Sequence, residues 1–197
     1  CPVKACGRYY PERVDDVAWE NDLTAFRAYG PALQETGERA FGYDIWTKYN
    51  TTEPVVEARY EGELNPDMKA KIAELGKTDP KAAQELYRSV SYHVDHGNGL
   101  DCYKVGPTLG GGTTALMAGD TIIYPYCYAT QEILDNGPLR FTVKLVYNPL
   151  VVKGDSTIIE TRIITLDAGS YCNKTVVSYT NLKETMPLAV GIVLHEP

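Results

Sequence analysis

The sequence predicts an all-β fold, an antiparallel β-sandwich interrupted by a short helical excursion. In 140–147 the apolar residues Phe141, Val143, Leu145 and Tyr147 alternate with Arg140, Thr142 and Lys144, the two-residue period of a half-buried strand. Runs rich in Val, Ile, Thr and Tyr recur at 157–166, 175–179 and 188–194, separated by turn signals. Helix start signals are confined to one stretch. Repeated strands joined by short turns point to antiparallel pairing rather than to a parallel sheet with crossover helices.

Taken in chain order, 19–29 is ambiguous by pattern but has no helix cap in front of it, and it is read as strand. Asn65-Pro66 is an N-cap followed by proline at the first helical position. Met68, Ile72 and Leu75 follow at helical spacing, and Gly76 supplies an end. Asp79-Pro80 repeats the start signal and opens a second helix through Leu86 to about Arg88. The main helical excursion is therefore expected between Asn65 and Arg88. From Leu139 the strands follow one another, bounded by Asn136-Gly137-Pro138, Lys153-Gly154-Asp155, Asp167-Ala168-Gly169 and Met186-Pro187. Alternation in the first of them sets Arg140 and Lys144 on the face opposite Phe141. There is no internal repeat, low-complexity tract or linker.

At 197 residues, 44% hydrophobic and 23% charged, the chain has the composition of one globular domain with a substantial core. The net charge of -7 argues against a nucleic-acid partner, since phosphate-backbone affinity rests on basic patches that release counterions. Local basic pockets for an acidic small ligand remain open. No apolar run approaches the length of a membrane span, and no signal-peptide pattern is present. The chain opens at Cys1 without a methionine and stops directly after a strand-like run, so a partial domain, truncated at one or both ends, is expected. Cys1 as the lipid-bearing first residue of a mature lipoprotein is the alternative. Five cysteines at positions 1, 6, 102, 127 and 172 show no CxxC and no regular metal spacing, which disfavours a structural zinc site and demands no disulfide. Fifteen tyrosines outnumber three phenylalanines and two tryptophans. They suit either a groove for polar rings such as sugars or the half-buried face of a sheet.

Chemistry concentrates in Tyr92-His93-Val94-Asp95-His96-Gly97-Asn98-Gly99-Leu100-Asp101, which holds two of the three histidines. Paired imidazoles beside aspartates offer proton transfer or metal binding. In an extended strand His93 and Asp95 would share a face while His96 pointed away, so both histidines meet one ligand only if the chain turns at Gly97. A divalent metal held by His93, His96, Asp101 and His195 is the alternative to a cofactor-free site, and a histidine that merely pins a loop is the structural one. Gly110-Gly111-Gly112 lacks the Lys-Ser/Thr ending of a phosphate-binding loop and reads as a tight turn. Asp15, Asp16, Glu20 and Asp22 offer paired carboxylates of the glycosidase kind.

A set of longer motifs carries a resemblance. It comprises Pro11-Glu12-Arg13 with Asp15-Asp16, Ala18-Trp19-Glu20-Asn21-Asp22, Ala25-Phe26-Arg27 with Tyr29-Gly30-Pro31-Ala32-Leu33, and Gly42 with Asp44 and Trp46. It continues in Tyr92-His93 with Asp95-His96-Gly97, Gly99-Leu100-Asp101, Tyr103-Lys104-Val105-Gly106 with Thr108-Leu109-Gly110, and 133–140. The chain resembles the domain of unknown function 4861 family of polysaccharide-degrading bacteria. The resemblance implies a galactose-mutarotase-like β-sandwich (supersandwich), a periplasmic, secreted or outer-surface location and a glycan partner, and the candidate residues themselves point to an oligosaccharide or uronic-acid-containing glycan.

On such a substrate, elimination beside the carboxylate needs a cation for the acid, a base for the adjacent proton and an acid for the departing oxygen. His93 or His96 as base, Tyr103 as proton donor, and Arg13, Arg27 or Lys104 as carboxylate clamp are the expected catalytic and binding residues. Each sits in a motif of the resemblance. Asp101 and Trp19 are further substrate-binding candidates. Arginine's planar fork matches a carboxylate better than lysine does, although Arg27 has Glu20 or Asp22 as alternative ion-pair partners. The expected function is a lyase or dehydratase acting on uronic-acid-containing oligosaccharides. Alternatives are a non-catalytic carbohydrate-binding sandwich and, by fold analogy, a mutarotase, epimerase or glycosidase.

Overall fold

The computed structural model describes residues 2–195, so the reading of Cys1 as a lipid attachment point lies outside the described residues. The first sheet is built from β1 (Ala5–Tyr10), β2 (Asp16–Asn21), β3 (Thr24–Ala28) and β4 (Asp44–Thr47), antiparallel and in sequential order. The ambiguous 19–29 segment thus forms most of a β2–β3 hairpin, with Trp19 opposite Phe26. Every residue of β2 and β3 is buried, because the sheet is covered on both faces. That two-sided burial removes the alternation by which a strand is normally recognised.

A short helix, α1 (Pro31–Glu35), follows β3, and three helices follow β4: α2 (Val56–Leu64), α3 (Pro66–Thr78) and α4 (Pro80–Val90). The excursion starts nine residues before the expected Asn65, at Val56. Its start has no local side-chain cap. The orphan N–H groups of Val55 and Val56 donate instead to the Glu20 carboxylate on β2, at 2.9 Å. The Asn65 and Asp79 side chains cap α3 and α4 as read, accepting from Met68 N and Ala82 N. α3 runs through Gly76 to Thr78, correcting the expected end. Asp79 N still reaches the Leu75 carbonyl at 2.7 Å, and a mid-helix glycine costs only about 1 kcal/mol.

The rest is sheet: β5 (Gly111–Ala118), β6 (Thr121–Ile123), β7 (Tyr128–Gly137), β8 (Arg140–Tyr147), β9 (Leu150–Val152), β10 (Asp155–Asp167), β11 (Lys174–Thr180) and β12 (Leu188–Ile192). A five-stranded antiparallel sheet runs β11-β10-β8-β7 with β9 paired to β10, and a three-stranded one runs β12-β5-β6. Phe141, Val143, Leu145 and Tyr147 on β8, with Ile164 and Leu166, pack against Val17, Trp19, Phe26, Ala28 and Tyr43. This is the core of an all-β sandwich. On the opposite face of the first sheet, Tyr10, Ala18, Ala25 and Trp46 meet Val56, Tyr60 and Tyr92, which makes the helices an outer layer. A third cluster, Leu116, Leu150, Val152 and Ile158, attaches the small sheet. β10 also turns Glu160 and Arg162 inward as an ion pair with no solvent exposure.

Candidate functional site

The His93–Asp101 segment lies between α4 and β5 and is not a strand; its chain turns sharply and is tied to β4. Asp101 bridges Trp46, Thr47 N donates to the Leu100 carbonyl at 3.0 Å, and Asp101 N donates to the Tyr92 carbonyl at 2.9 Å. Gly99 makes the approach to β4 possible. It has φ +102°, and a Cβ there would lie 1.9 Å from the Thr47 carbonyl oxygen. Gly97 also has positive φ, yet its turn sends the two histidines to different places.

Beneath this segment the helix-facing side of the first sheet carries charge where apolar packing is the rule. Arg27 on β3 is opposite Asp44 on β4 and pairs with it, while its Nη2 donates to Asp101 Oδ2 at 2.7 Å and Nη1 stands 3.9 Å from Asp16 Oδ2. These four side chains are at most 3% exposed. Arg13 adds a second guanidinium 3.7 Å from Asp16 and donates to the Tyr92 hydroxyl at 3.0 Å. Arg27 therefore pairs with neither Glu20 nor Asp22. Glu20 holds Lys48 and the start of α2, and Asp22 accepts from Gly169 N. Three carboxylates share this buried space, so not all gain from being ionised. Burial, reinforced by Asp44, pushes the Asp101 carboxyl up to about 6 against the opposing pull of Arg27 and His93. The Asp16 carboxyl is pushed up to about 7, again mainly by burial.

Asp101 is also part of the wall of an open cavity of about 430 Å³, together with Tyr29, Glu38, Arg39, His93, Tyr103 and Lys104. The His93 side chain is 52% exposed. Its Nδ1 lies 3.1 Å from the Asp101 carbonyl oxygen and 3.6 Å from Asp101 Oδ2. A carbonyl only accepts, so the neutral ring carries its proton on Nδ1 and keeps the basic lone pair on Nε2. Tyr103 donates its hydroxyl proton to the Val193 carbonyl at 2.6 Å, and burial pushes that hydroxyl up. Tyr29, raised by burial, accepts from Arg27 Nη2 at 3.2 Å and so links the cavity to the ion cluster. Lys104 is exposed, and Arg39 reaches only backbone carbonyls and the Tyr126 ring. Neither cation has an ion-pair partner among the described residues.

The structure thus brings His93, Tyr103, Lys104 and Asp101 to one cavity, with Arg27 under its floor. It does not bring His96, Arg13 or Trp19 there. His96 faces a separate cavity and binds the Ser91 carbonyl through Nε2. Trp19 has no exposure and donates from Nε1 to Asn173 Oδ1, as a core residue. His195 stacks edge-on against Tyr103 and binds the Lys104 carbonyl at 2.7 Å. Among the described residues no three His, Cys, Asp or Glu side chains are grouped as a metal site, so the four-ligand set does not assemble. Asp15, Asp16, Glu20 and Asp22 are committed to different partners: Asp15 accepts from the Tyr9 hydroxyl, and the other three have been placed above. Gly110 packs against the Tyr43 backbone, and Gly111 and Gly112 open β5. Sequence reasoning missed Arg39, Glu38 and the counter-charge role of Asp44. Asp44 had a signal, a lone acid two residues from Trp46, whereas Arg39 had none.

An all-β sandwich with a helical outer layer and an open cavity that holds His93 beside two cations, neither ion-paired among the described residues, is what fold and geometry define. Residues 2–197 match the family described as Domain of unknown function (DUF4861), and the chain belongs to that family. It is 29% identical over 201 residues to "Uncharacterized protein P7" of Formosa agariphila; the match covers 98% of this chain and 44% of that protein, so the chain spans less than half of the relative's length. No solved structure matches the chain. No helix among the described residues is long and apolar enough to cross a membrane.

Proposed function

We propose that the cavity between His93 and Arg39 binds an acidic sugar and that the domain acts as a lyase or dehydratase on uronic-acid-containing oligosaccharides. The observation that carries the reading is the oriented His93 ring, with Nε2 left as the lone-pair nitrogen, in one cavity with two cations that have no ion-pair partner among the described residues. Lys104 and Arg39 neutralise the uronate carboxylate, which acidifies the adjacent C–H. His93 Nε2 takes that proton, the C–H electron pair becomes the new double bond, and the C–O bond to the departing oxygen breaks. Tyr103 supplies a proton to that oxygen by turning from the Val193 carbonyl. Asp101 positions the His93 ring through its carbonyl oxygen, and Arg27 holds Asp101. The reading requires no metal ion or organic cofactor, and it goes with a site of action in the periplasm or outside the cell.

A second reading, a non-catalytic carbohydrate-binding domain, is favoured by the commitment of the Tyr103 proton to Val193. One experiment separates the two. The protein is incubated with a panel of uronic-acid oligosaccharides while absorbance of the conjugated unsaturated product is followed. The expected result is turnover that His93→Asn lowers by about a hundredfold to ten-thousandfold, with thermal unfolding unchanged. Binding without turnover would favour the second reading, and turnover indifferent to His93 would remove the first.

A further inference from the structure

Three arginines are buried among the described residues, Arg27, Arg59 and Arg162. Arg27 has its aspartates and Arg162 has Glu160. Arg59, on α2 and 8% exposed, has no carboxylate in ion-pair contact among the described residues. Its Nη2 donates to the Asn98 side chain and the Gly99 carbonyl, while Nη1 is buried without an acceptor. Glu20 and Asp101 act on Arg59 only from beyond ion-pair distance while burial disfavours its charge, and an anion in contact with the guanidinium relieves that cost.

Arg59 lines a cavity of about 260 Å³ that shares no lining residue with the His93 cavity. Other walls are His96, Asn98, Ser89, Val55 and Ala58, none of them acidic. His96 Nε2 lies 2.9 Å from the Ser91 carbonyl, so the neutral ring carries its proton there and Nδ1 is an acceptor, which donates to an oxyanion only in the doubly protonated ring. We propose that this cavity is a binding site for a small oxyanion, a carboxylate or sulfate group, held by the Arg59 guanidinium with His96 as its second polar wall. The site is distinct from the His93 cavity and does not depend on the chemistry assigned there.

Calorimetric titration of the full chain with sodium sulfate and, separately, with glucuronate in chloride buffer tests the assignment. The expected result is saturable binding of at least one of them, weakened about tenfold or more by Arg59→Gln, the loss of a charge-assisted hydrogen bond. Sulfate alone or glucuronate alone decides which oxyanion the cavity takes. Because Arg59 also fastens Asn98 and Gly99, Ala58→Trp provides a second arm. It fills the exposed rim of the cavity, keeps Arg59, and is expected to remove binding with unfolding unchanged. Because glucuronate can also enter the His93 cavity, every titration is repeated in a Lys104→Ala, Arg39→Ala background, where the Arg59-dependent binding is expected to persist. With Lys104 and Arg39 replaced, absence of saturable binding of both anions, or binding that survives both Arg59→Gln and Ala58→Trp, overturns the proposal and leaves Arg59 as a loop fastener.

Discussion

Replacing Asp101 by Asn is expected to stabilise the protein in neutral solution and to leave it unchanged in acid. Burial, reinforced by the charge of Asp44, pushes the Asp101 carboxyl up from its ordinary 3.8 to about 6, despite the opposing pull of Arg27 and His93. A carboxyl raised on folding binds more protons in the folded state than in the unfolded one between those two values. Its contribution is therefore complete below about pH 4, falls as pH rises, and is lost above about pH 6. A shift of about two units at about 1.4 kcal/mol each makes the ionised group costly by roughly 3 kcal/mol above about pH 7. Asparagine copies the shape of the protonated acid at every pH, and its Oδ1 still accepts from Arg27. Urea unfolding from about pH 4 to about pH 8, read by the fluorescence of the buried Trp19 and Trp46, gives the difference directly. The variant should match the parent at the acid end and exceed it by up to about 3 kcal/mol at the alkaline end. A variant less stable than the parent at about pH 8 would show that the carboxylate is a net favourable partner of Arg27, refuting the reasoning.

Two further substitutions test how the site is held. Gly99→Ala sets a methyl group against the Thr47 carbonyl at a positive φ, so the loop must lift from β4; a loss of about 2 kcal/mol or more in unfolding free energy, with altered chemical shifts at His93, is expected. Asp79→Ala removes the cap that accepts from Ala82 N and should cost about 1 kcal/mol in the same unfolding assay, with no change in ligand binding at the His93 cavity.

The strand at 140–147 was legible because it has one face toward the core and one toward solvent or polar neighbours, so alternation survives, whereas those at 157–166 and 175–179 were legible because β-branched residues and tyrosine run between turn signals. β1, β4, β5, β6, β7 and β9 were not resolved from sequence. β4 has four residues, β6 and β9 three each, and β7 is exposed over much of its length, so the apolar rhythm has too few beats to register. The start of α2 was invisible for a different reason, since its cap is Glu20, thirty-five residues away in sequence. In the site, the His93-to-Lys104 stretch stood out by residue type, and one cavity does gather His93, Asp101, Tyr103 and Lys104. Which histidine faces which cavity was not legible, because it depends on Gly97 and Gly99 adopting φ near +93° and +102°. Arg27 looked like a ligand clamp in sequence because nothing local reveals that Asp16, Asp44 and Asp101 converge on it.

The inward pair Glu160 and Arg162 alters what selects the register of β10. The residues it buries are Ile158, Glu160, Arg162, Ile164 and Leu166, while the face it turns outward carries Ile159, Thr161, Ile163 and Thr165. A slip of one residue would bury that second set, which contains no charge, and would release both ions to water. Along the middle of this strand, hydrophobicity alone thus favours the wrong face. The native choice rests on its surroundings: the Tyr43 and Tyr147 rings lie 5.5 and 4.5 Å from the guanidinium, and β8 and β11 flank the strand. β10 is consequently a strand whose register is conferred by its neighbours rather than by its own apolar pattern.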